Sequence, residues 1–187
     1  MIPAEVANCT ICADQLPLGP RPVVSIHSQS KILIIGQAPG RKVHESGIPW
    51  DDASGKRLRQ WLGVDEKTFY DPRNFGILPM GFCFPGTGKS GDLPPRPECA
   101  PQWHHTLLKM MPQVRLTLLF GQYAQKYYLG DRRAKNLTET VRQWKQYLPE
   151  YLPMPHPSPR NQIWLRKHPW FQEEVLPHLS STVRQLI

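Results

Sequence analysis

Four cysteines carry the most explicit chemistry in this sequence. Cys9, Cys12, Cys83 and Cys99 follow the pattern Cys-x2-Cys, a long gap, then Cys-x15-Cys. In a reducing compartment such a set points to metal or redox chemistry rather than to disulfides. Cys83 and Cys99 bracket Pro85-Gly86-Thr87-Gly88 and Pro94-Pro95-Arg96-Pro97, a loop with too few apolar residues to pack itself. A bound ion or cluster would tie the N-terminal segment to that loop, and four thiolates suit iron–sulfur or zinc alike. Cys99, His104 and His105 make no recognised ligand spacing with the distant cysteines, so a zinc enzyme built on them is disfavoured. The second chemical signal is charge. Lys plus Arg number 23 against 15 for Asp plus Glu, a net +8, which favours a polyanionic partner, nucleic acid foremost.

The elements that position these groups read as alternating strands and helices. Lys31-Ile32-Leu33-Ile34-Ile35 is the continuous apolar run of a strand buried on both faces of a parallel sheet. Segments 74–80 and 114–120 are further strands, and 152–155 is a fourth whose prolines assign it to a sheet edge. Helical spacing covers 54–62, 99–111, 122–129, 138–147 and 170–187, the last opening after Pro169. This alternation predicts one domain over 1–187, a three-layer α/β/α sandwich around a short, mainly parallel four-stranded sheet. The apolar share of 40% excludes a disordered chain, and the longest aliphatic run, 32–35, is far short of a membrane span. The start, Met1-Ile2-Pro3-Ala4-Glu5, lacks the basic and apolar regions of a secretory signal, so a cytoplasmic monomer is expected. Proline is the compositional outlier: 21 in 187 residues, about twice the ordinary share.

In a parallel sheet, ligands bind beyond the carboxyl ends of the strands. Two turns fall there: Gly36-Gln37-Ala38-Pro39-Gly40 and His156-Pro157-Ser158-Pro159-Arg160-Asn161. Together they resemble the paired motifs of the uracil-DNA glycosylase superfamily. Residues 47–55, Gly-Ile-Pro-Trp-Asp-Asp-Ala-Ser-Gly, are similar to the stretch that follows the first motif in its bacterial iron–sulfur branches. The four cysteines fall where those branches hold a [4Fe-4S] cluster, so the similarity runs from Cys9 to Asn161.

The resemblance implies a monofunctional glycosylase, without a lyase step, that flips and hydrolytically removes uracil or a related deaminated base from DNA. It implies a structural [4Fe-4S] cluster on Cys9, Cys12, Cys83 and Cys99, with zinc the alternative. Gly36, Ala38, Pro39 and Gly40 would approach the base through backbone, since glycine puts no side chain in the way. Trp50 would stack on it where relatives carry phenylalanine, and Asn161 would complete the base site. His156 would donate a hydrogen bond to the carbonyl oxygen on which charge develops. Lys42, Lys89, Arg96, Ser158 and Arg160 would hold DNA phosphates. Tryptophans near 163–170 would widen the groove or fill the gap left by the base, or pack on helices.

Two departures stand out. Ala38 occupies the place of an aspartate that handles the water in the best-known branch, and Gln37 that of another branch's glutamate. Asp52 then becomes the nearest carboxylate, with Asp51 beside it, although an aspartate before Ser54 is equally suited to cap a helix. The stretch after the second strand, Leu78-Pro79-Met80-Gly81-Phe82, has no amide to read a uracil edge. The rival expectation, favoured by Ala38, is a base-binding module of the same fold without glycosylase activity.

Overall fold

The structure is a computed structural model, and it describes residues 2–89 and 91–187. Ile32–Ile35 (β1) is completely buried along its length, since helices cover both of its faces. Ile32 and Ile34 enter one core, Leu33 and Ile35 the other, as the two-residue period of a strand requires. The remaining strands are Phe75–Ile77 (β2), the two-residue pieces Thr87–Gly88 (β3) and Gly91–Asp92 (β4), Leu116–Phe120 (β5) and Tyr151–Met154 (β6). The main sheet has the order β2-β1-β5-β6 with every pair parallel, while β3 and β4 form a separate antiparallel hairpin.

Nine α-helical segments are described: Ala4–Ala7 (α1), Arg41–Ser46 (α2), Ala53–Leu62 (α3), Glu66–Tyr70 (α4), Cys99–Lys109 (α5), Gly121–Leu129 (α6), Leu137–Arg142 (α7), Gln162–Lys167 (α8) and Leu176–Leu186 (α9). Leu58, Trp61 and Leu62 of α3 pack with Leu179 and Val183 of α9 on one face of the sheet. Leu107 of α5 and Ala124 and Leu129 of α6 cover the other. The result is the expected three-layer α/β/α sandwich. Each fully buried Ile or Leu contributes about 1.5–3 kcal/mol relative to exposure, so β1 anchors both cores. Among the described residues no helix is long and apolar enough to cross a membrane.

Two helices differ from the sequence reading, each for a local reason. Segment 138–147 breaks into α7 and a 3-10 turn, Trp144–Tyr147. Trp144 enters the first core and Tyr147 the second, and a helix with one buried face cannot serve two layers. The cap is Asn136, whose side chain accepts from the Glu139 N–H at 2.9 Å. The C-terminal helix opens with a π turn over Phe171–Val175. Pro177 lies inside the periodic stretch and lacks the N–H for an ordinary turn, so the backbone widens just ahead of it.

Both sheet edges are closed. The Thr117 N–H donates to the Glu150 carbonyl at 2.9 Å, so backbone alternation turns Pro153 outward on β6. On the opposite edge Ser25 exchanges two hydrogen bonds with Ile77, at 2.9 and 2.6 Å.

Candidate active site

Beyond the carboxyl ends of β1 and β6 lies a cavity of about 410 Å³, within the size range of small-ligand sites. Its first wall is the turn 36–40. The Gly36 and Gln37 carbonyls accept from the Met80 and Gly81 N–H groups, both at 2.9 Å, which ties this turn to the segment after β2. A side chain at position 36 would place its Cβ 3.0 Å from Trp50 Cζ2, so glycine lets the indole lie on the backbone. The floor is apolar, from Val23, Ile77 and Pro79.

Trp50 sits between Phe120, ring centroids 5.8 Å apart and edge-on, and His156, 5.5 Å apart and tilted by 30°. Its φ of 58° is left-handed, a conformation a tryptophan adopts only under constraint. The constraint is α3. Asp52 accepts from the Gly55 N–H at 2.8 Å, and the bare Cα of Gly55 receives the Trp50 carbonyl. Asp52 therefore both caps α3 and lines the cavity.

His156 follows β6 and is fixed by its own turn. The Ser158 N–H donates to His156 Nδ1 at 3.2 Å, and Asn161 Nδ2 donates to the His156 carbonyl at 2.7 Å. Arg57 of α3 holds the same turn, donating to the Ser158 carbonyl and to Gln162 Oε1, each at 3.1 Å. Burial pushes the His156 pKa down, against the opposing charge of Asp52. The imidazole is therefore neutral near pH 7. With Nδ1 accepting, the ring proton sits on Nε2, and a neutral donor is presented where His156 lines the cavity.

Seven further residues expected from the sequence also line the cavity: Gln37, Ala38, Pro39, Gly40, Ser158, Arg160 and, through its backbone, Gly36. Gln37 Nε2 is taken up by the Leu93 carbonyl at 3.0 Å, so its side chain braces the mouth. Asn161 stands behind His156, outside the lining, where it positions the loop. Lys42 on α2 and Lys89 in the β3–β4 turn are exposed. Arg96 is paired with Glu98 at 2.6 Å, on the cysteine loop rather than at the mouth. Trp164 donates to Thr138 and packs on the first core, as does Trp170 beneath the Arg142 guanidinium. Neither tryptophan lies at the cavity. The sequence reading missed Asp92 at the mouth and Arg57 behind the second turn. Asp92 arrives on a two-residue strand that has no periodicity to detect.

The cysteines lie away from this cavity. Cys83 is buried and Cys99 opens α5, while Cys9 and Cys12 follow α1. Desolvation pushes the Cys83 thiol up to about 11 and Cys99 to about 12, and each is raised further by the charges of Cys12 and Cys9. Cys9 and Cys12 are thus within electrostatic reach of both. The Phe82 N–H donates to Cys99 Sγ at 3.3 Å, and the Arg21 backbone points likewise at Cys83. Such N–H···S bonds suit thiolates held by a cationic centre that would draw off the protons. Among the described residues, no three His, Cys, Asp or Glu groups converge as one metal ion would require. His104 has both ring nitrogens engaged, with Tyr128 Oη and the Pro79 carbonyl, and has none left for a metal.

A short parallel sheet with its cavity at the strand ends, lined by two tight turns, defines an α/β protein with a small-ligand site. The family model of the uracil DNA glycosylase superfamily matches residues 24–180, and the chain belongs to that superfamily. Cys9 and Cys12 precede the matched span. Among solved structures the chain is similar to the solution NMR structure of a candidate uracil DNA glycosylase from Methanosarcina acetivorans. Identity is 18%, with 83% of this chain and 94% of that one covered and a TM-score of 0.47.

Proposed function

We propose that this chain is a DNA glycosylase that hydrolyses the N-glycosidic bond of uracil, or of a related deaminated base, flipped out of DNA. The observation that carries this reading is His156, held neutral with its proton on Nε2 in a cavity shared with Trp50. As the C1′–N bond breaks, its electron pair moves onto the base, and the Nε2–H meets the charge on a base carbonyl oxygen. A neutral donor suits this step, because it stabilises the anion without protonating a substrate at rest. Trp50 offers an aromatic face for the base, and the bare backbone of 36–40 allows close approach. The sugar cation then takes up water, for which Asp52 and Asp92 are the lining carboxylates.

With no amide in the 78–82 stretch and the Gln37 Nε2 taken up by Leu93, backbone groups would read the base edge, and a range wider than uracil follows. Lys42, Lys89, Ser158 and Arg160 would meet phosphates, with binding that weakens steeply as salt rises. Cys9, Cys12, Cys83 and Cys99 would hold a [4Fe-4S] cluster, whose chemistry here is structural: it pins the N-terminal segment to the loop before α5.

The test is base release from single- and double-stranded oligonucleotides carrying uracil, hypoxanthine or xanthine. Release of at least one base is expected. Tight, base-specific binding with no release from any substrate would instead establish the binding-module reading, which the side chain of Ala38 favours.

A further inference from the structure

Hydrolysis needs a carboxylate able to take a proton from water, and among the described lining residues there are two, Asp52 and Asp92. One oxygen of Asp52 caps α3, accepting from the Gly55 N–H at 2.8 Å, which leaves only the other for the cavity. We infer that Asp92, carried to the cavity mouth by the β3–β4 hairpin, is the general base that activates the water. This inference rests on the glycosylase reading above.

The hairpin is built to deliver that carboxylate. Gly91 has φ +136°, open to glycine alone, and a Cβ there would collide with the Arg160 guanidinium. The hairpin therefore presses against the second turn. At its exit the Leu93 N–H donates to the Gly86 carbonyl at 2.8 Å, and the Leu93 carbonyl accepts from Gln37 Nε2 at 3.0 Å. Between these ties an Asp92 carboxylate oxygen stands 3.2 Å from where a Cβ on Gly40 would lie, directly over the first turn. Asp92 thus bridges both turns that form the site.

The groups that face Asp92 are Arg160 from the second turn, Asp52 from the start of α3, Thr87 from the paired strand and Arg41 from α2. Desolvation raises its pKa, with Asp52 adding to the rise and Arg160, Thr87 and Arg41 opposing it. A carboxylate raised in this way is a better base than an exposed one. The step balances: the C1′–N electron pair leaves with the base, water oxygen bonds to C1′, and the water proton passes to Asp92 and then to solvent.

The experiment measures single-turnover base release from uracil-containing DNA at enzyme excess, across pH, for wild type, Asp92→Asn, Asp92→Glu and Asp52→Asn. Binding is measured on the unreactive 2′-fluorodeoxyuridine duplex. Asp92→Asn is expected to be about 10²-fold slower, with affinity for the fluorinated duplex within about threefold of wild type. The acid limb of the wild-type profile, where rate falls as the raised carboxyl protonates, should disappear in Asp92→Asn. Asp92→Glu should recover part of the rate and the limb, and Asp52→Asn should lose less rate than Asp92→Asn. A rate for Asp92→Asn within about threefold of wild type, a persistent acid limb, or a larger loss in Asp52→Asn overturns the inference while leaving the glycosylase reading intact. Wild type that releases no base overturns both.

Discussion

The tautomer of His156 is open to a test in which one hydrogen atom is removed. Ser158 has φ −56°, a value proline adopts without strain, so Ser158→Pro deletes the N–H that donates to Nδ1 while keeping the backbone path. Ser158→Ala keeps that N–H and serves as the control for losing the hydroxyl, which accepts from the Arg160 N–H at 3.2 Å. The deleted bond is neutral and partly buried, so it contributes about 1 kcal/mol to the Nε2–H tautomer. That corresponds to about a fivefold fall in the ratio of the Nε2–H to the Nδ1–H tautomer; with the two forms otherwise equal, the productive population and the rate of base release fall by about twofold. His156→Ala removes the donor altogether and should cost about 10²–10³ in rate, because that charge exists only in the transition state. The assay is single-turnover excision by the four proteins at pH 7.5, with affinity for an unreactive duplex as the control. The expected order is wild type and Ser158→Ala, then Ser158→Pro, then His156→Ala, with little change in affinity. Equal rates for Ser158→Pro and Ser158→Ala would refute the locked donor, as would a His156→Ala loss that appears in binding.

Three further outcomes follow from the packing. Gly55→Ala should lower the Tm by several degrees, since its Cβ would meet the Trp50 carbonyl, whereas helix propensity alone predicts a gain of about 1 kcal/mol; thermal unfolding decides the sign. Burial lowers His104 from 6.5 to about 4, so the unfolded chain binds the proton first. Stability should be full above pH 6.5 and fall by about 3 kcal/mol toward pH 4, and His104→Gln should flatten that slope in denaturant titrations. Protein purified without oxygen should be brown and hold four irons per chain if the cysteines carry a cubane, with Cys99→Ser losing both colour and Tm; a colourless, iron-free protein of equal stability refutes the cluster.

The sheet was legible because its signal is local. Four consecutive aliphatic residues in 32–35 demand burial on both faces, and a strand broken by Pro153 demands an edge. The two turns could be found because they follow those strands and carry glycine, proline and histidine. Relations across the chain were not legible. Nothing in the residues around Arg57 marks it as the support of a turn about a hundred positions on. Nothing near Asp92 predicts a hairpin of two-residue strands, for such pieces carry no period. Asp52 was legible as a cap or as an acid, and only its bond to the Gly55 N–H places one of its oxygens in the first role. The left-handed Trp50 depends on Gly55, a tertiary constraint that no local propensity encodes.

The closed edges of the sheet have a consequence for behaviour in concentrated solution. An exposed strand with free N–H groups is a template on which a second chain adds, and aggregation often starts there. Here one border offers a proline that has no hydrogen to give, and the other already has Ser25 seated on Ile77. Neither border can seed a growing ribbon. The same proline is buried, so its border lacks both the donor and the exposure that a docking strand needs.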